Sequence, residues 1–286
     1  MGYGYEINEI FPLWGWMHIL FLLLPVAMVV IFHFSFRKLS SEKKRLVGII
    51  LSVINIALLI GRTIEMSIEG KWPLGEIIPL QLCHIADFVI LFAFIFRKDA
   101  IKNTLFALSF CLFLPAAALA IVFPNTLNMY DTLWQFQVLT YILGHALIVA
   151  TIVWALVNRL IKINIKTLLR ASIVSVAMYL GMFVIANVAI ALGVQGVNWF
   201  YTMSPVPATP LALFYSAGHM LYFGPFQAHP VYLVLTALFA VVVVMAMYGV
   251  YMLSMKLINK RFVTKINSEP FELEQIEIGN DEPETV

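Results

Sequence analysis

Residues 77–94, IIPLQLCHIADFVILFAF, form an apolar run that, with its neighbours, is long enough to cross a lipid bilayer. The run nevertheless holds three ionisable side chains within five residues, those of Cys83, His84 and Asp87. A carboxylate inside a membrane is costly unless it is paired or faces a water-filled cavity. The stretch therefore predicts a membrane span with a polar cavity beside it.

The apolar character of this stretch extends over the whole chain. Hydrophobic residues make up 62% of the 286 residues and charged residues only 12%. Soluble domains are about half apolar and a quarter charged. Because so few charges would not cover a water-facing surface, the composition excludes a soluble globular protein and indicates an integral membrane protein.

Seven apolar runs have the length of a membrane-spanning helix, about 20 residues. Each run is continuous and lacks the period-two alternation of barrel strands, so we expect an all-α, seven-transmembrane-helix bundle. Pro25 and Pro115 lie inside two of the runs and predict kinks. The spans are predicted at 13–34, 46–68, 78–96, 104–123, 134–157, 168–192 and 230–255, within a transmembrane domain of residues 13–255.

Basic residues predict the orientation of this bundle. Sixteen of the 18 Lys and Arg residues lie in the loops after the first, third and fifth spans or after the seventh, and only Arg62 and Lys71 lie on the other side. By the positive-inside rule, the N-terminus (residues 1–12) is outside and the C-terminus is cytoplasmic. An odd number of spans is required by this distribution, in agreement with seven.

Two segments outside the spans have distinctive compositions. The external loop 193–229 has no charged residue and many aromatic residues, so we expect it to lie against the bundle. Thr209 and Pro210 form an N-cap and N1 pair, and Gly224-Pro225 is a stop signal, which together predict a short helix at 210–222. Residues 256–286 are predicted to be a cytoplasmic basic flank followed by a disordered acidic tail from about Asn267.

Polar side chains inside the spans are predicted to converge on one external-facing cavity, roofed by the loop 193–229. Cys83 and Asp87 share a helix face at spacing four, and Arg62 is the cation available to pair with Asp87. The other contributors are a stripe on the fifth span and two asparagines near the end of the sixth: Gln137, Tyr141, His145, Asn187 and Asn198.

These groups suggest thiol chemistry. A thiol nucleophile needs a base to take its proton, and His84 is poorly placed because adjacent helical side chains point about 100° apart. His145, on a facing helix, is the better candidate base for Cys83. The predicted helix starts place His145 about 10 Å deeper than Cys83, a gap that helix tilt or a shifted boundary must close.

Three motifs resemble the YwaF family of bacterial membrane proteins, which is related to transmembrane protein 164. They are PLQLC at Pro79–Cys83, GHALIV beginning at Gly144-His145, and NWFYTMSPVPATPLALFY from Asn198, which includes Pro207-Ala208-Thr209. The likeness covers residues 15–255. It implies a seven-span protein of the bacterial plasma membrane.

The resemblance also implies a reaction. The animal relative is regarded as a phospholipid acyltransferase that carries the acyl group on the cysteine. Here Cys83 would attack an acyl ester, His145 would be the general base, and Asn198 or backbone amides of the loop would stabilise the oxyanion. The family has a histidine two positions before the cysteine, where this chain has Gln81, which cannot act as a base. Supporting positions are Arg62, Gln81, His84, Asp87, Tyr141, Asn198 and Thr209.

Two alternatives to an acyltransferase or acyl hydrolase remain open. A transporter or receptor-like bundle would use the same cluster to bind a solute or protons without covalent chemistry. A metal site at Cys83, His84, Asp87 and His145 has no supporting spacing motif, so no metal or cofactor is expected. The expected partners are membrane lipids and an acyl-chain substrate, and no nucleic acid.

Overall fold

The computed structural model describes residues 11–124, 127, 130, 132–206 and 209–268, with side chains of the last helix as far as Asn259. Its elements in chain order are α1 (Trp16–Phe36), α2 (Ser41–Glu69), α3 (Leu74–Ile77), α4 (Leu82–Ile95), α5 (Asp99–Leu108), a π-helix (Ser109–Phe113), α6 (Leu114–Val122), α7 (Phe136–Val157), α8 (Ile165–Ala191), a 3-10 turn (Trp199–Tyr201), α9 (Pro210–Ser216), β1 (Leu221–Phe223), β2 (Phe226–Ala228) and α10 (Pro230–Ser268).

Among the described residues, seven helical segments are long and apolar enough to cross a membrane, which confirms the predicted fold class. Most predicted bounds lie within a few residues of the observed ones. The orientation of the termini stays a prediction. The observed segments are Trp16–Phe36, Ser41–Glu69, Leu74–Ile95, Asp99–Val122, Phe136–Val157, Ile165–Ala191 and Pro230–Asn259.

The third span is broken, whereas the sequence predicted a continuous helix over 78–96. The short helix α3 ends at Ile77, the backbone from Ile78 to Gln81 is extended, and α4 begins at Leu82. Pro79 explains the break, because a proline disfavours helical backbone at the residue before it. The break moves the start of α4 four residues beyond the predicted start, so Cys83 lies in its first turn.

The fourth span has a π-helical turn in its middle. Pro115 has no N–H to donate to the carbonyl of Cys111, and the N–H of Leu114 bonds instead to the carbonyl of Ser109, five residues back. The disturbance expected at Pro115 is therefore a local widening of the helix between α5 and α6. Pro25 lies inside α1, which continues through it.

The basic loops after the first and third spans meet at one end of the bundle, which we call the basic end. Arg45 at the start of α2 donates from Nε to the carbonyl of Phe94 at 2.5 Å and from Nη2 to that of Ile95 at 3.1 Å. These carbonyls have no partner within α4, so Arg45 caps its C-terminus. Capping fixes α4 from the end that lies away from Cys83.

At the opposite end of the bundle, which we call the far end, the loop that follows α8 packs onto α3. Gly75 donates its N–H to the carbonyl of Gln195 at 2.8 Å, and Trp199 Nε1 donates to the carbonyl of Gly75 at 2.7 Å. A Cβ atom at Gly75 would lie only 2.5 Å from the carbonyl carbon of Gly196. The close approach therefore requires glycine at position 75, and it holds the loop over the broken third span.

The predicted helix at 210–222 is wrong in its second half. Helix α9 ends at Ser216, and residues 221–228 form the antiparallel hairpin β1–β2 with Phe223 paired to Phe226. Gly224 has φ of 63° and opens the two-residue loop, as type II′ hairpins require, so Gly224-Pro225 is a hairpin turn. The amide of Gln227 donates to Asn187 Oδ1 at 2.8 Å and ties the hairpin to α8.

The chain divides into two compact units, Met1–Val250 and Tyr251–Val286. The first unit holds every site residue discussed below. Residues 251–268 of the second unit are helical and belong to α10. The acidic tail lies outside the described residues, except for Asn267 and Ser268 at the end of that helix.

Candidate active site

A cavity of about 310 Å³ enters the first unit from the far end of the bundle. Its lining residues on α2 extend from Met66 to Asn55, which corresponds to about 16 Å along the helix axis. Eight of the nine predicted site residues line it: Arg62, Gln81, Cys83, His84, Asp87, Tyr141, His145 and Asn198. Cys83 and His145 thus line one cavity.

Cys83 is the second residue of α4, and its sulfur lies at the open N-terminus of that helix. The backbone N–H groups of Cys83 and His84 point at the sulfur. First-turn N–H groups have no partner within the helix and carry partial positive charge. Cys83 is half-buried as a residue, and it lines the cavity. The helix end would stabilise negative charge that develops on the sulfur, whereas burial of the sulfur opposes that charge.

His145 is 7% exposed, lies on α7 and has a defined tautomer. Its Nδ1 lies 2.8 Å from the carbonyl oxygen of Tyr141, one helical turn earlier, and a carbonyl can only accept. Nδ1 therefore carries the proton in the neutral ring, and Nε2 has the free lone pair. The Tyr141 ring packs 4.2 Å from the His145 ring, and its hydroxyl donates to the carbonyl of Ala120 at 3.1 Å. His145 is thus held in place with the Nε2 lone pair unengaged by the described residues.

His84 has the opposite tautomer. The backbone N–H of Gln81 donates to His84 Nδ1 at 3.3 Å, so the proton of the neutral ring is on Nε2. His84 and His145 are close enough to interact electrostatically. The cavity wall therefore combines a proton acceptor on α7 with a proton donor on α4. Gln81, at the position of the family histidine, lines the cavity beside them.

The expected ion pair between Arg62 and Asp87 is absent from the contacts of the described residues. Asn55 Nδ2 donates to Asp87 Oδ1 at 2.6 Å and lies 3.2 Å from the carbonyl of Gly144. One asparagine thus joins α2, α4 and α7 beneath Cys83. The prediction failed because it matched Asp87 with the nearest cation in the sequence and overlooked an amide on the same helix as Arg62.

Asn198 supports the loop and does not offer a free donor. Its Nδ2 donates to the carbonyl of Ser204 at 3.1 Å and to its hydroxyl at 2.9 Å. Its Oδ1 accepts from the N–H groups of Met203 at 3.1 Å and Ser204 at 3.0 Å. Because both amide hydrogens are engaged, the proposed oxyanion role of Asn198 is replaced by a structural one.

The segment that Asn198 organises brings Tyr201 to the cavity. Phe200 and Tyr201 both have φ of 55°, a backbone region that non-glycine residues adopt at a cost of about 1–2 kcal/mol each. Tyr232 compensates by donating its hydroxyl to the carbonyl of Tyr201 at 2.5 Å. Burial of its own hydroxyl, together with the negative charge that Cys83 and Glu76 can carry, raises the pKa of Tyr201 to about 12. That hydroxyl therefore stays protonated at neutral pH.

Three residues considered from the sequence lie outside the cavity lining. Thr209 is the N-cap of α9, and its hydroxyl donates to the carbonyl of Val206 at 2.6 Å. Pro207 and Ala208, which precede it in the family motif, lie outside the described residues. Gln137 donates to Glu69 at 2.8 Å, and Asn187 holds the hairpin. The stripe on α7 thus reaches the cavity only through Tyr141 and His145.

The sequence interpretation missed several polar lining residues. Asn55 gave no signal beyond being an amide in an apolar helix. Glu76 could have been found, because it is one of few charges near the third span. Tyr201 lies within the NWFYT segment, but nothing in the sequence distinguishes it from the aromatic residues beside it. The missed polar or aromatic lining residues are Asn55, Trp72, Glu76, Tyr130, Thr140 and Tyr201.

The model of the TMEM164 family matches residues 13–248. No curated protein and no solved structure matches the chain. In the part of the chain that the structure describes, no group of three or more His, Cys, Asp or Glu side chains could hold a metal ion.

Proposed function

The chain belongs to the TMEM164 family, and from this premise we propose that it is a membrane-embedded acyltransferase or acyl hydrolase acting on lipids. Within that family we assign it to the bacterial YwaF type, in the plasma membrane, on the three motifs described above. Sixteen of the 18 basic residues lie at the basic end, which the positive-inside rule places in the cytoplasm. The opposite end, where the cavity opens, would then face the outer leaflet.

The observation that carries this proposal is that Cys83 and His145 line the same cavity. Cys83 offers a sulfur at a helix N-terminus, and His145 offers a free Nε2 lone pair. In papain-like and serine hydrolase chemistry, the same two functions belong to a nucleophile and its base. The arrangement therefore supports covalent acyl transfer.

In the first half-reaction, His145 Nε2 takes the proton of the Cys83 thiol, and the sulfur attacks the carbonyl carbon of a lipid ester. The tetrahedral intermediate collapses as its bond to the alkoxy oxygen breaks. That oxygen leaves with the proton from His145, and the acyl group stays on Cys83 as a thioester. Donors for the oxyanion are the Nε2–H of His84 and the hydroxyl of Tyr201, both at the cavity wall.

In the second half-reaction, a hydroxyl group enters the cavity and attacks the thioester. His145 takes the hydroxyl proton, the carbon–sulfur bond breaks, and the proton returns to the sulfur. A lysolipid hydroxyl makes the protein a transferase, and water makes it a hydrolase. Gln81 has no part in proton transfer, because an amide does not act as a base.

The test compares Cys83→Ala with Cys111→Ala, using purified protein in lipid nanodiscs and a lipid with a labelled acyl chain. Removing the nucleophile should abolish both the acyl-enzyme thioester, detected by mass spectrometry, and product formation. Cys111 is 0% exposed within the π-helix, so Cys111→Ala should retain the thioester. Undiminished transfer by Cys83→Ala would overturn the proposal.

A non-covalent solute or proton carrier is the second candidate, and one observation favours it. A separate void of about 10 Å³, about the size of one water molecule, lies on the side of the basic end and shares Asn55 and Asp87 with the cavity. Ser52 and Thr151 also border it. Such a carrier would need Asp87 and would be indifferent to Cys83. Uptake or proton flux that survives Cys83→Ala and is lost in Asp87→Asn would select it.

A further inference from the structure

Arg62 is the one strongly basic side chain among the described cavity-lining residues, and no ion pair joins it to another residue that the structure describes. It lies on α2 seven residues before the helix ends, about 10 Å from that end. Its Nη1 is buried without any hydrogen-bond partner. A buried guanidinium N–H group that is left unpaired loses its hydration without compensation. The site thus has a donor that needs an acceptor from elsewhere.

The neighbouring carboxylates do not supply that acceptor. Glu69 binds Trp72 Nε1 at 2.6 Å, Gln137 at 2.8 Å and Lys71 at 3.6 Å. Glu65 interacts with Glu69, Lys71 and the backbone of Gln137. No hydrogen bond or ion pair among the described residues joins Glu65 or Glu69 to Arg62, although Glu65 Oε2 is itself buried without a hydrogen-bond partner.

Glu76 is the single carboxylate in electrostatic range of Arg62 among the described residues, but no ion pair within 4.0 Å joins them. Tyr130 accepts one hydrogen bond from the guanidinium, which leaves Nη1 unpaired. The remaining groups near Arg62 are Cys83, His84 and His145, the proposed reacting groups. An anion bound at Arg62 would therefore lie next to the reacting atoms.

We propose that Arg62 binds the phosphate of a glycerophospholipid and thereby presents the lipid ester to Cys83. The inference rests on the proposed function and adds to it the residue that binds the head group of the substrate. A guanidinium matches phosphate oxygens with two parallel N–H bonds, which an ammonium does not. In a glycerophospholipid only a few bonds separate the phosphate from the ester carbonyl, so one molecule spans Arg62 and Cys83.

The cavity volume agrees with this substrate. At about 310 Å³ it lies at the low end of ligand sites, which range over about 300–1,000 Å³. It accommodates a phosphate, a glycerol backbone and the reacting ester, and leaves the acyl chains in the bilayer. Trp72, Tyr130 and Tyr201 line the same space and suit the boundary between head group and hydrocarbon, where aromatic side chains with a polar tip are favoured.

The experiment measures selectivity, which a merely structural role of Arg62 would not change. Purified protein in nanodiscs is given phosphatidylcholine or diacylglycerol with identical acyl chains, and kcat/KM is determined for each. Arg62→Gln should lower the value for phosphatidylcholine by about 10- to 100-fold and leave that for diacylglycerol within about twofold. Arg62→Lys, which keeps the charge but loses the planar fork, should fall between.

Two matched variants complete this comparison. Lys71, the other basic residue of the far end, does not line the cavity, so Lys71→Gln should keep the wild-type selectivity. If Lys71→Gln changed the selectivity as much as Arg62→Gln does, the effect would come from the general positive charge of this end of the bundle, and the proposal would be overturned. Glu76→Gln should not reproduce the loss, and an equal loss would assign Arg62 to a pairing with Glu76. Equal losses of Arg62→Gln on both lipids would also overturn the proposal.

A binding arm keeps the inference testable if wild-type protein turns over neither lipid, an outcome that would count against the proposed function alone. Its probes are a non-cleavable dialkyl glycerophosphocholine, the matching dialkylglycerol, and inorganic phosphate, each scored by the rise in thermal unfolding temperature. Stabilisation by the phosphocholine lipid alone, lost in Arg62→Gln, supports a lipid phosphate site. Equal stabilisation by inorganic phosphate assigns a free-phosphate site, and none by any probe refutes an anion site.

Discussion

The third and fourth spans each carry one cysteine four residues from a proline, and they use it differently. Pro79 precedes Cys83 and ends a short helix, so that a new helix begins just before the cysteine. Pro115 follows Cys111 and shifts the hydrogen bonds of a continuous span into a π-helical turn. The first arrangement exposes helix N–H groups, whereas the second keeps the backbone paired.

The consequence is a difference in what surrounds each sulfur. Cys83 borders a polar cavity and receives backbone N–H groups, while Cys111 is 0% exposed within the bundle. The two cysteines lie in similarly apolar sequence but differ in access to a cavity and in nearby backbone N–H groups, so we expect them to differ in reactivity. The position of the proline relative to the cysteine accounts for the contrast.

The largest expected effect is on thiol reactivity. Folded protein treated with a maleimide probe should be modified at Cys83 and not at Cys111, because a tightly buried thiol is inert. His145→Ala should lower the rate at Cys83 by about 100-fold, the lower end of what a general base contributes. Peptide mass spectrometry after timed labelling measures both sites at once.

His219→Ala is the matched control, since His219 is exposed in the segment before β1 and does not line the cavity. It should label at the wild-type rate. Comparable labelling of Cys111 and Cys83 in folded protein would break the distinction between the two spans. A rate at Cys83 that ignores His145 would keep the distinction but remove the base.

Composition and charge predict most of the fold of this chain. Seven spans follow from the lengths of the apolar runs, because a helix satisfies all its backbone hydrogen bonds within one segment and a bilayer offers no water to satisfy them. The same reasoning does not place the break at residues 78–81. Pro79 indicates an interruption of the helix. The break is also stabilised by the packing of Gly75 against Gly196, and a contact between residues more than a hundred positions apart is not readable from the sequence.

The site is predictable in its members and not in their partners. Cys83, His145 and Arg62 stand out because ionisable groups are rare inside spans. Their hydrogen bonds are not readable, since periodicity gives a helix face but not the element opposite. Asp87 was predicted to pair with Arg62, but it accepts a hydrogen bond from Asn55. Asn198 was predicted to stabilise the oxyanion, but it forms hydrogen bonds within its own loop. Each error came from pairing by charge or proximity without tertiary distances.

The next effect concerns the stability of the broken span. Gly75→Ala would bring a Cβ atom within 2.5 Å of backbone atoms of Gly196, so one of the two segments must shift. We expect a loss of about 1–3 kcal/mol in unfolding free energy and slower labelling of Cys83. Gly181→Ala in α8 is the control: its Cβ meets nothing within 4 Å, and a gain of about 0.5–1 kcal/mol is expected. A neutral Gly75→Ala would show that the break does not depend on this contact.

The smallest expected effect comes from the loop that covers Cys83, for which Cys111 has no counterpart. Asn198→Ala removes four hydrogen bonds from a partly exposed turn, each with a net contribution of about 0.5–1.5 kcal/mol at most. Tyr201, a proposed oxyanion donor, would then be less firmly held, so we expect kcat for the lipid to fall about three- to tenfold with little change in KM. Asn198→Asp keeps the acceptor for Met203 and Ser204 and should lie between. An effect of Asn198→Ala that persists undiminished in a Tyr201→Phe background would mean that Asn198 acts independently of Tyr201, and would return it to the oxyanion role that its hydrogen bonds argue against.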